Sequence, residues 1–124
     1  MRFVNPIPFV RDITVSKAFY RDILGLTVTV EHDNFVQFQG NFAIHDGTAL
    51  AQMVWEGSGG EAPDTYGLRN LLLYFEDDDI DARFDALKDQ VELIHGLERQ
   101  AWGQRVFRFY DPDGHAIEIG EPMS

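Results

Sequence analysis

Four side chains in this 124-residue sequence have the types and placement that chemistry needs: Asn5, His45, Asn70 and Glu118. An imidazole and a carboxylate can relay protons or hold a cation, and carboxamides orient a ligand through neutral hydrogen bonds. Brought together, they would form a cluster of two amides, one imidazole and one carboxylate. Trp55 and Trp102 add large aromatic surface beside glycine-bearing loops, where an indole is well placed to touch a small-molecule ligand. There is no cysteine, so disulfides, thiolate zinc sites and thiol catalysis are excluded together.

Each of these residues also has a plainer reading. His45 stands just before an Asp46-Gly47 turn signal and would be half-exposed there. Glu118 lies between Ile117 and Ile119, so it takes the face opposite to theirs, the solvent face of a half-buried strand. Asn5 and Asn70 serve equally well as strand-end caps of backbone groups.

The elements that must position these groups can be read from periodicity. Residues 3–10 read as a strand, with Pro6 and Pro8 unable to donate to a ladder. Thr14 offers a helix N-cap, Val15, Phe19 and Ile23 mark one apolar helical face, and Gly25 closes the helix. Strands follow at 27–32, 35–38 and 42–45, broken by Asp33-Asn34 and Gly40-Asn41. Residues 49–55 read as a further strand or a packed loop, and 57–64 is linker-like in composition. The second half runs strand 70–75, acidic caps Asp77 to Asp79, a helix face of Ile80, Phe84 and Leu87, then strands at 91–94, 105–110 and 116–119. Asp111-Pro112-Asp113-Gly114 is a strong turn.

The halves repeat. A slide of 65 positions carries Asn5 onto Asn70, Val10 onto Phe75, Asp12 onto Asp77 and Phe19 onto Phe84. His45 and Glu118 then occupy the fourth strand of each copy. The expectation is an α+β fold of two βαβββ modules, at about 1–56 and 66–124 with a linker at about 57–65, forming one domain whose curved mixed sheets make a cup.

Charge and hydropathy narrow the partners. Ten Lys and Arg against 21 Asp and Glu give a net charge of −11, which disfavours nucleic acid. The longest apolar run, Leu71 to Phe75, suits a buried strand and falls far short of a membrane span, which needs about 20 residues. With no signal-peptide pattern after Met1, a cytoplasmic protein without membrane partners is expected.

The segments Phe9 to Leu26, with Phe19-Tyr20 and Leu24-Gly25-Leu26, and Phe107 to Ile119, with Asp111-Pro112-Asp113-Gly114 and Ile117-Glu118, resemble the opening and closing of the vicinal oxygen chelate superfamily. That superfamily holds glyoxalases, bleomycin-resistance proteins and extradiol dioxygenases. The resemblance implies four metal-ligand positions, at Asn5, His45, Asn70 and Glu118, of which Glu118 alone keeps the expected type. A catalytic metal needs three donors from His, Asp and Glu, and a dioxygenase needs two His and a carboxylate. No metal or other cofactor is therefore expected; a divalent ion, if bound, would use His45 and Glu118. The resemblance also implies a homodimer, with Pro6 and Pro8 near an abutting edge. The function expected is that of the bleomycin-resistance type, a form of antibiotic resistance in which an aromatic or cationic small molecule is sequestered without metal. The ligand would meet Asn5, His45, Trp55, Asn70, Trp102 and Glu118. The alternative is a metal-dependent glyoxalase-like lyase or isomerase with Glu118 as base or ligand and the candidate catalytic residue; a third is a small dimeric domain with a degenerate site.

Overall fold

The computed structural model describes residues 1–56 and 63–123. The expected linker at 57–65 thus lies mostly outside the described residues. The chain forms two compact units, Met1–Tyr66 and Gly67–Ser124. Among the described residues no helix is long and apolar enough to cross a membrane.

The first unit begins with β1 (Phe9–Val10) and α1 (Ile13–Ala18), whose last turn, Phe19–Ile23, widens to π-helical geometry. Strands β2 (Val28–His32), β3 (Phe35–Phe38) and β4 (Phe42–Asp46) follow, then α2 (Gly47–Val54). The sheet order is β1-β4-β3-β2, with β1 parallel to β4 and the rest antiparallel. The expected strand over 3–10 contracts to two residues, because Pro6 and Pro8 bring no N–H to the ladder. Pro8 still serves as an acceptor: its carbonyl takes the His45 N–H at 3.3 Å.

Three local expectations are corrected here. The α1 N-cap is Asp12 rather than Thr14; Asp12 Oδ1 accepts from the Thr14 and Val15 N–H groups at 3.0 and 3.2 Å. The buried face of that helix runs through Ser16, Phe19, Tyr20 and Leu24, leaving Val15 half-exposed. Residues 49–55 are mainly helical: Asp46 caps α2 by accepting the Ala49 N–H at 2.9 Å, so the Asp46-Gly47 turn signal is a helix start. Gly25 does close α1, at φ +77°, where the Leu26 N–H returns to the Tyr20 carbonyl at 2.9 Å.

The second unit repeats the plan with β5 (Leu72–Glu76), α3 (Ile80–Leu87), β6 (Glu92–Arg99), β7 (Arg105–Tyr110) and β8 (Ala116–Gly120). Its order is β5-β8-β7-β6, again with one parallel pair, β5 on β8. This is the expected α+β architecture of two βαβββ units with four-stranded mixed sheets. Each unit buries one sheet face under its helix. In the first, Tyr20 packs edge-on against Phe42 at 5.1 Å, and Phe38 stacks on Phe42 at 5.7 Å. In the second, Phe84 of α3 meets Phe107 edge-on at 5.1 Å, and Phe107 stacks on Phe109 at 5.7 Å. Burying each such ring contributes roughly 1.5–3 kcal/mol.

Candidate functional site

Side chains alternate along a strand, so the core packing of the second unit decides where its polar groups go. Phe107, Phe109, Ile117 and Ile119 are buried in the core beneath α3. Arg108 and Glu118 therefore take the opposite face. Register then sets four residues in one row across all four strands: Tyr74 beside Glu118, Glu118 beside Arg108, and Arg108 beside His95.

The row is hydrogen-bonded. Arg108 Nε donates to Glu118 Oε1 at 2.6 Å, while Glu118 is only 6% exposed. Arg108 Nη1 donates to His95 Nε2 at 2.9 Å, which makes that nitrogen an acceptor and leaves the proton on Nδ1, donated to the Gly96 carbonyl at 2.8 Å. Arg108 Nη2 reaches Gln100 Oε1 at 3.4 Å. At the far edge, the Tyr74 hydroxyl donates to Glu76 Oε2 at 2.6 Å and accepts from Gln104 Nε2 at 2.8 Å. Partial desolvation, then the hydrogen bond to Glu76, holds the Tyr74 phenol above its ordinary pKa, so it stays protonated at neutral pH. Glu118 does face away from the core, but it is sequestered by Arg108 rather than presented as a free base.

A cleft of about 690 Å³ adjoins this row. Leu72, Tyr110 and Ala116 line it, each two residues along its strand from Tyr74, Arg108 and Glu118 respectively, and Arg69, Asn70, Leu71, Ile94 and Gly114 complete the wall. Asn70 is thus the expected site residue that lines the cleft. Trp102 is more than half exposed; its Nε1 donates to Gln104 Oε1 at 2.9 Å, and it is not part of the cleft wall.

The other expected residues belong to the first unit. His45 is buried in β4, donates from Nδ1 to the Asp46 carbonyl at 2.9 Å and lies 6.1 Å from the Phe35 ring. It is not half-exposed. Asn5 lies ahead of β1 and donates to the adjacent Pro6 carbonyl at 3.0 Å, a local backbone cap. Trp55 ends α2, half-exposed, 6.1 Å from the Phe9 ring.

The 65-residue repeat holds in the strands: it carries Phe9, which pairs with His45, onto Tyr74, which pairs with Glu118. Asp12 Oδ1 accepts the N–H two residues on, and Asp77 Oδ1 does the same. Only the helix start shifts, since the N-caps Asp12 and Asp79 are 67 positions apart. His45 and Glu118 are therefore equivalent positions. His45 faces Phe35 across the first sheet where Glu118 faces Arg108 in the second. The charged pair has no charged counterpart in the other unit.

One group not singled out from the sequence could hold a metal: Asp111, Asp113 and His115, all buried, with donor atoms within 4.8 Å of one another. The Asp111 carboxylate is already engaged. Its Oδ1 accepts the Asp113 and His115 backbone N–H groups at 2.9 and 2.8 Å, and its Oδ2 accepts His115 Nδ1 at 2.8 Å. A metal there would have to displace His115 from Asp111, so the donor set fits a locked turn better than an open coordination site. Arg108 and His95 were also missed, although a cation directly opposite a carboxylate on paired strands is a recognisable pattern once register is known.

The comparisons agree with this architecture. The glyoxalase-like domain family matches residues 3–124. A structure of a protein of unknown function from Agrobacterium tumefaciens C58 superposes with a TM-score of 0.92 at 61% identity, covering 99% of this chain and 95% of that one. The uncharacterised protein YaeR of Escherichia coli K12 is 32% identical over 115 residues, 89% of this chain and 88% of its own length. The metallothiol transferase FosB of Staphylococcus haemolyticus is 26% identical over 118 residues, 94% of this chain and 81% of its own. Sequence match and paired βαβββ units together place the chain in the glyoxalase-like domain family of the vicinal oxygen chelate superfamily.

Proposed function

We propose that this chain is a small-molecule-binding member of the family that works without a resident metal, with its ligand in the cleft beside the Glu118–Arg108 pair. One observation carries the reading: the carboxylate at the one position that keeps the expected metal-ligand type is buried and bound at 2.6 Å by Arg108 Nε. Freeing it for a metal would leave a guanidinium without its counter-charge, which is costly in a partly buried site. The neighbouring wall of Leu72, Ile94, Tyr110 and Ala116 suits an organic ligand, with Asn70 to orient it.

The metallothiol transferase among the relatives favours a second reading, in which a divalent ion is bound and Glu118 or the Asp111, Asp113 and His115 group is involved. Elemental analysis of protein purified without chelators separates the two. The metal-free reading expects less than about 0.1 Zn, Ni, Mn or Fe per chain; about one per chain overturns it and favours the enzyme.

A further inference from the structure

The cleft has a cation that the small-molecule reading does not use, Arg69. It precedes β5 beside Asn70, and Tyr110 lines the same cleft from β7. Among the described residues, the side chains of all three lack a hydrogen bond or ion pair, although they sit in a chain with 21 carboxylates. The other arginines of the second unit are engaged. Arg83 is held by Asp77, Arg105 by Asp81 and Glu121, Arg108 by Glu118, and Arg99 donates to the Gly103 carbonyl. Arg69 differs in its backbone as well. Its φ is +59°, in the left-handed region that side-chain-bearing residues seldom adopt, and such strain gathers where a site requires a set geometry.

Resting on the small-molecule reading above, we propose that the cleft takes an amphipathic anion, a carboxylate or phosphate head on Arg69 with an apolar body against Leu72, Ile94 and Ala116. The guanidinium fork matches either head group, and Asn70 and Tyr110 supply further donors beside it. The neighbouring Glu118 is neutralised by Arg108 and does not repel the head group. Glu92, exposed and opposite Tyr110, stands on the far edge strand, so the anion belongs at the Arg69 end. This reverses the ligand charge that the acidic composition suggests. The net −11 describes the whole surface, whereas the cleft carries a local cation.

The test is an NMR titration of the full chain labelled with nitrogen-15, using 4-phenylbutyrate, 4-phenylbutyl phosphate and neutral 4-phenylbutanol. At least one anion is expected to shift the Arg69 Nε–Hε signal and the Asn70, Leu72 and Ala116 amides saturably, and to bind about tenfold or more tightly than the alcohol. The tighter of the two anions identifies the head group. Arg69→Gln is expected to weaken the anion by about tenfold and leave the alcohol unchanged, whereas Arg21→Gln, remote in sequence from the cleft, leaves both affinities unchanged. An alcohol that binds as tightly as both anions, or an Arg69→Gln variant with undiminished anion affinity, overturns the anionic head group and leaves the small-molecule reading standing. No shift of cleft amides with any of the three compounds overturns both.

Discussion

Arg108→Met costs about 3–5 kcal/mol of stability, because it leaves the Glu118 carboxylate buried without its cation. It also removes the donor that holds His95 Nε2, so the imidazole loses its place in the row. The partner substitution separates the pair from its surroundings. In Arg108→Met with Glu118→Leu, no charge remains to be stranded, and most of the loss returns. Urea denaturation of the two single variants and the double variant closes a mutant cycle. A single variant that loses less than about 1 kcal/mol would mean that Glu118 reaches water or another cation, and the argument for a sequestered carboxylate would fall.

Asp111→Ala is the second large loss. One carboxylate accepts three buried donors: the Asp113 N–H, the His115 N–H and His115 Nδ1. Each donor left without a partner costs about 1–3 kcal/mol, so a total of about 3–5 kcal/mol is expected after relaxation. Asp111→Asn keeps one carbonyl oxygen for the two backbone groups and should retain roughly half of the stability. Thermal unfolding measures both. The same experiment with a chelator tests the alternative role of the cluster. A locked turn leaves the unfolding temperature of the unsubstituted protein unchanged by chelator, whereas a structural metal lowers it.

What could be read in the sequence was local. The Gly25 stop, the Gly40-Asn41 reversal (φ +97° and +63°) and the Asp111–Gly114 turn depend on a few adjacent residues, and the structure places each as expected. The repeat was legible in its strands, yet the start of its second helix was not. Asp77, Asp78 and Asp79 are all competent caps, and only the fold selects Asp79. The two added residues fall between β5 and α3, where strand parity gives no warning. They leave His45 as the strand counterpart of Glu118. Helix α2 was missed because a glycine at its first position looks like a turn, and the weight of Asp46 as a cap emerges only with the Ala49 N–H above it. The Arg108–Glu118 pair and the cleft need the β7–β8 register, which ten positions of separation along the chain do not reveal.

The two parallel edges have unequal consequences for how the units assemble. In each, a first strand must find a fourth strand some 36 to 44 residues further on, and closing either loop costs about 3 kcal/mol of chain entropy, nearly the same for both. The return differs: β5 and β8 match five residue pairs, whereas β1 and β4 match only two. The hairpins β2–β3 and β3–β4 form from neighbours and do not depend on that closure. The edge of the first sheet is thus the last to be secured during folding and the first to open in the native state. Subglobal opening would begin where Pro6 and Pro8 keep the strand short, while the edge beside Glu118 stays closed until its unit unfolds as a whole.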